Sequence, residues 1–135
     1  MEKKVSKEIA KDDLDKWLDS KFIPATRRQD GDAEVIYNEV LNAVEEGIVT
    51  FNKENEVIFK LRVPIEMKDN IITELKFVHR ITAGALQAKT SYVKQGDTQG
   101  ALIAKIAALT GEVGGTIRCL DSVDHGLCAA IAFFY

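Results

Sequence analysis

Two cysteines, two prolines and one tryptophan in 135 residues leave this chain with few groups that do chemistry. No stretch approaches the roughly 20 consecutive apolar residues that span a bilayer, so neither membrane insertion nor a transmembrane anchor is expected. The opening Met1-Glu2-Lys3-Lys4-Val5-Ser6-Lys7-Glu8 carries positive charge but lacks the apolar centre of a secretion signal. Cys119 and Cys128 lie nine residues apart in a segment that reads as helical. At about 1.5 Å of rise per residue that spacing exceeds disulfide reach unless the chain bends. They are expected as reduced, mostly buried thiols of a cytosolic protein. Excess charge is also missing, because 18 Lys and Arg against 21 Asp and Glu give a net charge of −3. Such a chain has no basic field to follow a phosphate backbone, and nucleic acid is not an expected partner.

What is present changes along the chain. Residues 1–31 are dense in charge of both signs and read as a charged N-terminal helix and turn ahead of a single domain over 32–135. Leu14, Trp17, Leu18 and Phe22 fall at helical spacing, with Asp12 or Asp13 as the expected N-cap and Pro24 as the stop. A stripe holding the lone tryptophan must dock, on its own domain or on a neighbouring subunit, the former being the commoner arrangement. Arg27-Arg28 reads as solvated turn. Asp30 or Asp32 is placed to cap a helix from Ala33 to Glu46, with Ile36, Tyr37, Val40, Leu41 and Val44 buried and Gly47 as its end.

After Gly47 the apolar period falls from 3.6 to 2. Ile48–Phe51, a turn at Asn52–Asn55, and Val57, Phe59, Leu61 and Val63 alternating with Ile58, Lys60 and Arg62 predict a hairpin closed by Pro64. A turn at Lys68-Asp69-Asn70 leads to a third strand in which Ile71, Thr73, Leu75 and Phe77 share a face. The strands, over about 48–79, form a small antiparallel meander whose apolar face needs covering. The fold class is therefore α+β, with N-terminal helices and a C-terminal helical bundle over about 82–135 packed on the sheet.

That C-terminal part is poor in charge. Thr82 is the expected cap of a helix to about Val93, Gly96-Asp97 breaks the chain, and Ala101–Leu109 is apolar on nearly every side except at Lys105. Gly111, Gly114 and Gly115 break it again. In a last helix capped by Asp121 or Ser122, Val123, Leu127, Ile131 and Phe134 make one stripe, with Cys128, Ala132 and Phe133 opposite. A helix apolar all round belongs in a core or against a partner.

Catalytic patterns are weak. His79, Cys119, His125 and Cys128 are the soft metal ligands besides the thioethers of Met1 and Met67, and their spacing lacks the paired knuckles of structural zinc sites. Neither cysteine has a neighbouring sequence feature that would make it a thiolate nucleophile. His79 reads as a strand-end residue half covered by the following helix. Asp121 and Asp124 read as helix caps favoured by the dipole. Thr110-Gly111-Glu112-Val113-Gly114-Gly115 lacks the Lys-Ser/Thr of a phosphate loop and does not follow a strand. No catalytic residue, cofactor or metal is expected.

Val63-Pro64-Ile65-Glu66, a turn, Ile72-Thr73-Glu74-Leu75, then Arg80-Ile81-Thr82-Ala83-Gly84 and Leu86 resemble the opening of the tail assembly chaperones of long-tailed bacteriophages and Mu-like prophages. Ile106–Gly111, Leu120-Asp121 with Asp124, Leu127 and Phe133-Phe134 are similar to the family's last two helices. The likeness runs from about Val57 to Tyr135. The family has proline before its Thr-Ala-Gly and an acidic residue after it, where this chain has Ile81 and Ala85, so the cap at Thr82 is kept.

The resemblance implies a non-enzymatic, homo-oligomeric binder of the tape measure protein and of tail tube protein, acting in the host cytoplasm and absent from the mature virion. Binding of that kind needs apolar surface that receives amphipathic helices. Trp17, Leu102, Ile106, Leu127, Ile131, Phe133, Phe134 and Tyr135 are the expected partner-binding or self-association residues. Two other readings stand beside it: a structural virion connector or tail-terminator subunit, and a small thiol or zinc hydrolase built on His79, Cys119, His125 and Cys128.

Overall fold

In a computed structural model, which describes residues 3–135, the first helix starts earlier than Asp12 or Asp13. Helix α1 (Lys7–Ser20) is capped by Ser6, whose hydroxyl accepts from the Ile9 N–H at 3.3 Å. The start is fixed one step upstream, where the Lys4 and Val5 N–H groups both donate to the Glu45 carbonyl. Asp12 lies mid-helix and pairs with Lys16 at i,i+4. Ala10, Leu14, Trp17 and Leu18 form the buried face. Phe22 does not join them. The helix ends at Ser20, ahead of Pro24, and Phe22 takes a left-handed conformation and is 82% exposed.

A short turn of helix, α2 (Thr26–Gln29), leads into α3 (Asp32–Glu45). Neither Asp30 nor Asp32 caps α3, because Gly31 occupies the N-cap with no side-chain bond. Tyr37, Val40, Leu41 and Val44 are buried as expected, while Ile36 is only half-buried. Gly47 ends the helix with φ 77°, a conformation that costs a residue with a Cβ about 1 kcal/mol.

Three strands, β1 (Val49–Phe51), β2 (Val57–Met67) and β3 (Asn70–Phe77), form an antiparallel sheet in the order β1-β2-β3. Pro64 does not close β2, which runs on to Met67. It falls between Lys60 and Ile65, where the β2–β3 register shifts, and past the stretch that pairs with β1. A missing N–H there costs the ladder nothing. The same shift changes the phase of β3. Leu75 and Phe77 face the core, but Ile72, opposite Ile65, is the half-buried residue beyond the bulge, and Ile71 and Thr73 are exposed.

Helix α4 (Ala83–Thr90) starts at Thr82, whose Oγ1 accepts from the Ala85 N–H at 3.1 Å, and buries none of its residues. Asp97 caps α5 (Thr98–Thr110), and Gly111 ends it with φ 74°. Where only a break was expected, Gly114–Ile117 makes one helical turn, α6. Asp121 caps α7 (Ser122–Ala132) through the Val123 N–H. Asp124 does something the sequence did not suggest: it is fully buried, with Oδ2 bonded to the Val63 N–H. Helix α5 packs on β3 and α7 on β2, while α3 bridges α1 and α7. One α+β core, centred on Trp17, Phe59, Phe77 and Phe134, joins all these layers.

Candidate functional site

Most of the apolar residues expected to face partners are inside the chain's own core. Trp17, Ile106, Leu127, Ile131 and Phe134 are buried, while Leu102, Phe133 and Tyr135 are partly exposed. Trp17 docks in cis: its Nε1 donates to the Asn55 carbonyl at 3.0 Å, its ring stacks on Phe51, and the Phe134 ring meets it edge-on. The Tyr135 hydroxyl donates to the Val78 carbonyl at 2.6 Å.

Leu102 and Phe133 converge on a surface groove of about 360 Å³ between α3, α5 and α7. Its floor follows from the α7 sequence, where Gly126, Ala129, Ala130 and Phe133 recur at i, i+3, i+4 and i+7 and present one face of small residues ending in an aromatic. Ile36 and Leu102 line its sides, and Glu39 and Lys105 bring opposite charges to it. A cavity of about 150 Å³ holds a benzene, so the groove accommodates two or so leucine- or phenylalanine-sized side chains. Small residues let a helix backbone approach closely, as at packed helix interfaces. The signal was in the sequence, as the small residues at 126, 129, 130 and 132. Ile36 and Glu39 carried none, because the former sat in a stripe that reads as core.

Basic side chains gather at one end of the groove. The Arg27 guanidinium donates to the Phe133 carbonyl at 2.6 Å and lies 5.1 Å from that ring's centroid. Lys21 donates to the His79 carbonyl at 2.6 Å with its Nζ 3.6 Å above the Tyr135 ring. Arg80 reaches the Ser20 carbonyl and covers the exposed Phe22 ring. Burial, then the charges of Arg80 and Lys105, brings Lys21 down to about 8, and burial with the Arg27 charge lowers Lys105. Among the described residues, none of these four cations is in an ion pair.

The residues of the hydrolase reading fall apart from one another in role. Ser20 Oγ donates to the Trp17 carbonyl, so the 2.9 Å contact with His79 Nε2 has the imidazole as donor and leaves no base aimed at the hydroxyl. The cover on His79 thus comes from the end of α1. Cys119 is exposed, with Sγ donating to the Gly115 carbonyl, and Cys128 is buried with its thiol pushed well up by burial and the Asp124 charge. His125 sits half-buried in the first turn of α7, its Nε2 enclosed without a partner among the described residues. Among the described residues no three His, Cys, Asp or Glu side chains converge to hold a metal ion, and no helix is long and apolar enough to cross a membrane. No protein-family model, no curated protein and no solved structure matches this chain.

Proposed function

We propose that the protein is a tail assembly chaperone of a long-tailed bacteriophage or Mu-like prophage. It binds the tape measure protein, and tail tube subunits, by non-covalent packing during tail assembly. It performs no catalysis, works as a homo-oligomer in the host cytoplasm and leaves before the virion matures. The observation that carries this reading is the α3–α5–α7 groove, an apolar, small-residue floor shaped for a helix. Its α5 and α7 walls belong to the C-terminal stretch that resembles the chaperone family, while Ile36 and Glu39 of α3 close it from outside that stretch. A tape measure protein is a long helical polypeptide that needs its apolar stripes covered until tube subunits surround it.

Co-expression with a tape measure protein from the same genome tests the proposal. The chain should keep that protein in the supernatant and copurify with it, and Ala129→Trp, which fills the groove from a half-exposed position, should abolish both effects. A tape measure protein equally soluble without the chain would overturn the reading. Recovery of the chain from purified virions would overturn it in favour of a connector or tail-terminator subunit.

A further inference from the structure

The groove does not end in neutral surface. Lys105 lines it, and Arg27 holds the Phe133 carbonyl where α7 gives out. Lys21 and Arg80 line a second hollow of about 160 Å³ together with Phe134 and Tyr135, and Lys21 is near enough to Lys105 to feel its charge. Backbone carbonyls and aromatic faces hold three of these cations in place, and no carboxylate of the chain neutralises any of the four among the described residues. Four cations, three of them held in place, on a chain of net charge −3 make a local field opposite in sign to the whole. Glu39, the one acid among the described residues that line the groove, is exposed on α3.

Resting on the groove-binding reading above, we infer that the segment seated in the groove is an acidic amphipathic α-helix of another polypeptide, with its apolar stripe on Gly126, Ala129 and Phe133 and its carboxylates facing Arg27, Lys105 and Lys21. A helix presents an apolar stripe and a flanking charged row at once, matching a groove with a basic end. The charges set orientation and encounter rate, and the apolar side chains hold the complex. A second copy of this chain fits poorly. Helix α1 carries exposed Asp12, Asp13 and Asp19, but its apolar stripe of Leu14, Trp17 and Leu18 is already buried in its own core.

Two synthetic helical peptides of about 20 residues with the same leucine stripe, one flanked by glutamate and the other by lysine, test this by fluorescence anisotropy with the full chain. The glutamate peptide should bind at least about tenfold tighter, and the gap should close as salt rises from about 0.05 M to about 0.5 M. Lys105→Gln should shrink the preference, and the double variant Arg27→Glu with Lys105→Glu should reverse it, provided circular dichroism shows both variants folded. Equal affinity for the two peptides, with Ala129→Trp losing both, would overturn the acidic-helix inference and leave the proposed groove function standing. If neither peptide binds while the tape measure protein still copurifies, the inference fails alone, and loss of copurification is the failure of the function itself. A concentration-dependent dimer abolished by Ala129→Trp would overturn the inference by making a second copy the occupant.

Discussion

Asp124 Oδ2 accepts a hydrogen bond from the Val63 backbone N–H at 3.0 Å, tying the first turn of α7 to the part of β2 that runs beyond β1. The carboxylate is fully buried, and its other oxygen has no partner among the described residues. At the start of α7 its charge is favoured by the helix dipole. Asp124→Ala deletes the acceptor and strands the Val63 N–H, so it should cost about 1–3 kcal/mol. Asp124→Asn keeps a carbonyl acceptor and should cost less. Urea denaturation of the two variants checks the order. An alanine variant within about 0.5 kcal/mol of the parent would show that the bond contributes nothing.

Lys21 gives a signed pH dependence. Burial and the nearby Arg80 and Lys105 hold its folded pKa at about 8, below the unfolded value of 10.5. Below about pH 8 both states keep the proton and the full penalty for the charge is present. Between about pH 8 and about pH 10.5 the unfolded chain binds more protons, so this group makes the fold more stable as pH rises. A shift of that size in a fully buried group is roughly 3 kcal/mol; solvent screening at this half-exposed side chain leaves on the order of 1 kcal/mol. The parent should therefore gain stability over Lys21→Met between about pH 7 and about pH 9.5. Cys128 and Tyr135 are common to both proteins and cancel. A constant difference would mean that Lys21 stays fully hydrated.

The α+β layout was legible because periodicity is local: Tyr37, Val40, Leu41 and Val44 announce one helix face, and Val57, Phe59, Leu75 and Phe77 one sheet face. What was not legible depended on contacts between distant residues. Ser6 beats Asp12 as the α1 cap because the Glu45 carbonyl holds Lys4 and Val5, and nothing near Ser6 encodes that. Pro64 reads as a stop because its missing N–H matters in a ladder, yet β1 is too short to reach it. In the C-terminal run, composition gave an apolar stretch but not which residues the sheet would cover. Phe134 went inward, Ala130 and Ala132 were buried, and Gly126 and Ala129 stayed at the surface to floor the groove.

The two thiols should separate cleanly. Cys119 is exposed, with its Sγ donating to the Gly115 carbonyl; Cys128 is buried with its thiol pushed up by burial and by Asp124. Thiolate is the reactive form. An aromatic disulfide reagent at about pH 8 should titrate one thiol quickly and the second only on addition of denaturant, and Cys119→Ser should remove the fast phase. Two fast thiols in the native protein would contradict the packing of α7.

Phe133 and Phe134 adjoin in sequence and should answer to different measurements. Phe134 is fully buried and meets the Trp17 ring edge-on with centroids 6.2 Å apart, so Phe134→Ala should cost about 3–5 kcal/mol and shift Trp17 emission to the red. Phe133 is half-exposed at the end of the groove, under the Arg27 guanidinium. Phe133→Ala should cost about 1 kcal/mol or less of stability while weakening binding of the glutamate-flanked peptide. Deleting residues 133–135 would confound the two effects, because it removes the Phe134 packing and the Tyr135 bond to Val78 together with the groove wall. Denaturant midpoints beside peptide affinities for the two single variants separate them. If Phe133→Ala left affinity unchanged and Phe134→Ala lowered it only in proportion to unfolding, the end of α7 would be core alone, and the docking surface would lie elsewhere on the chain.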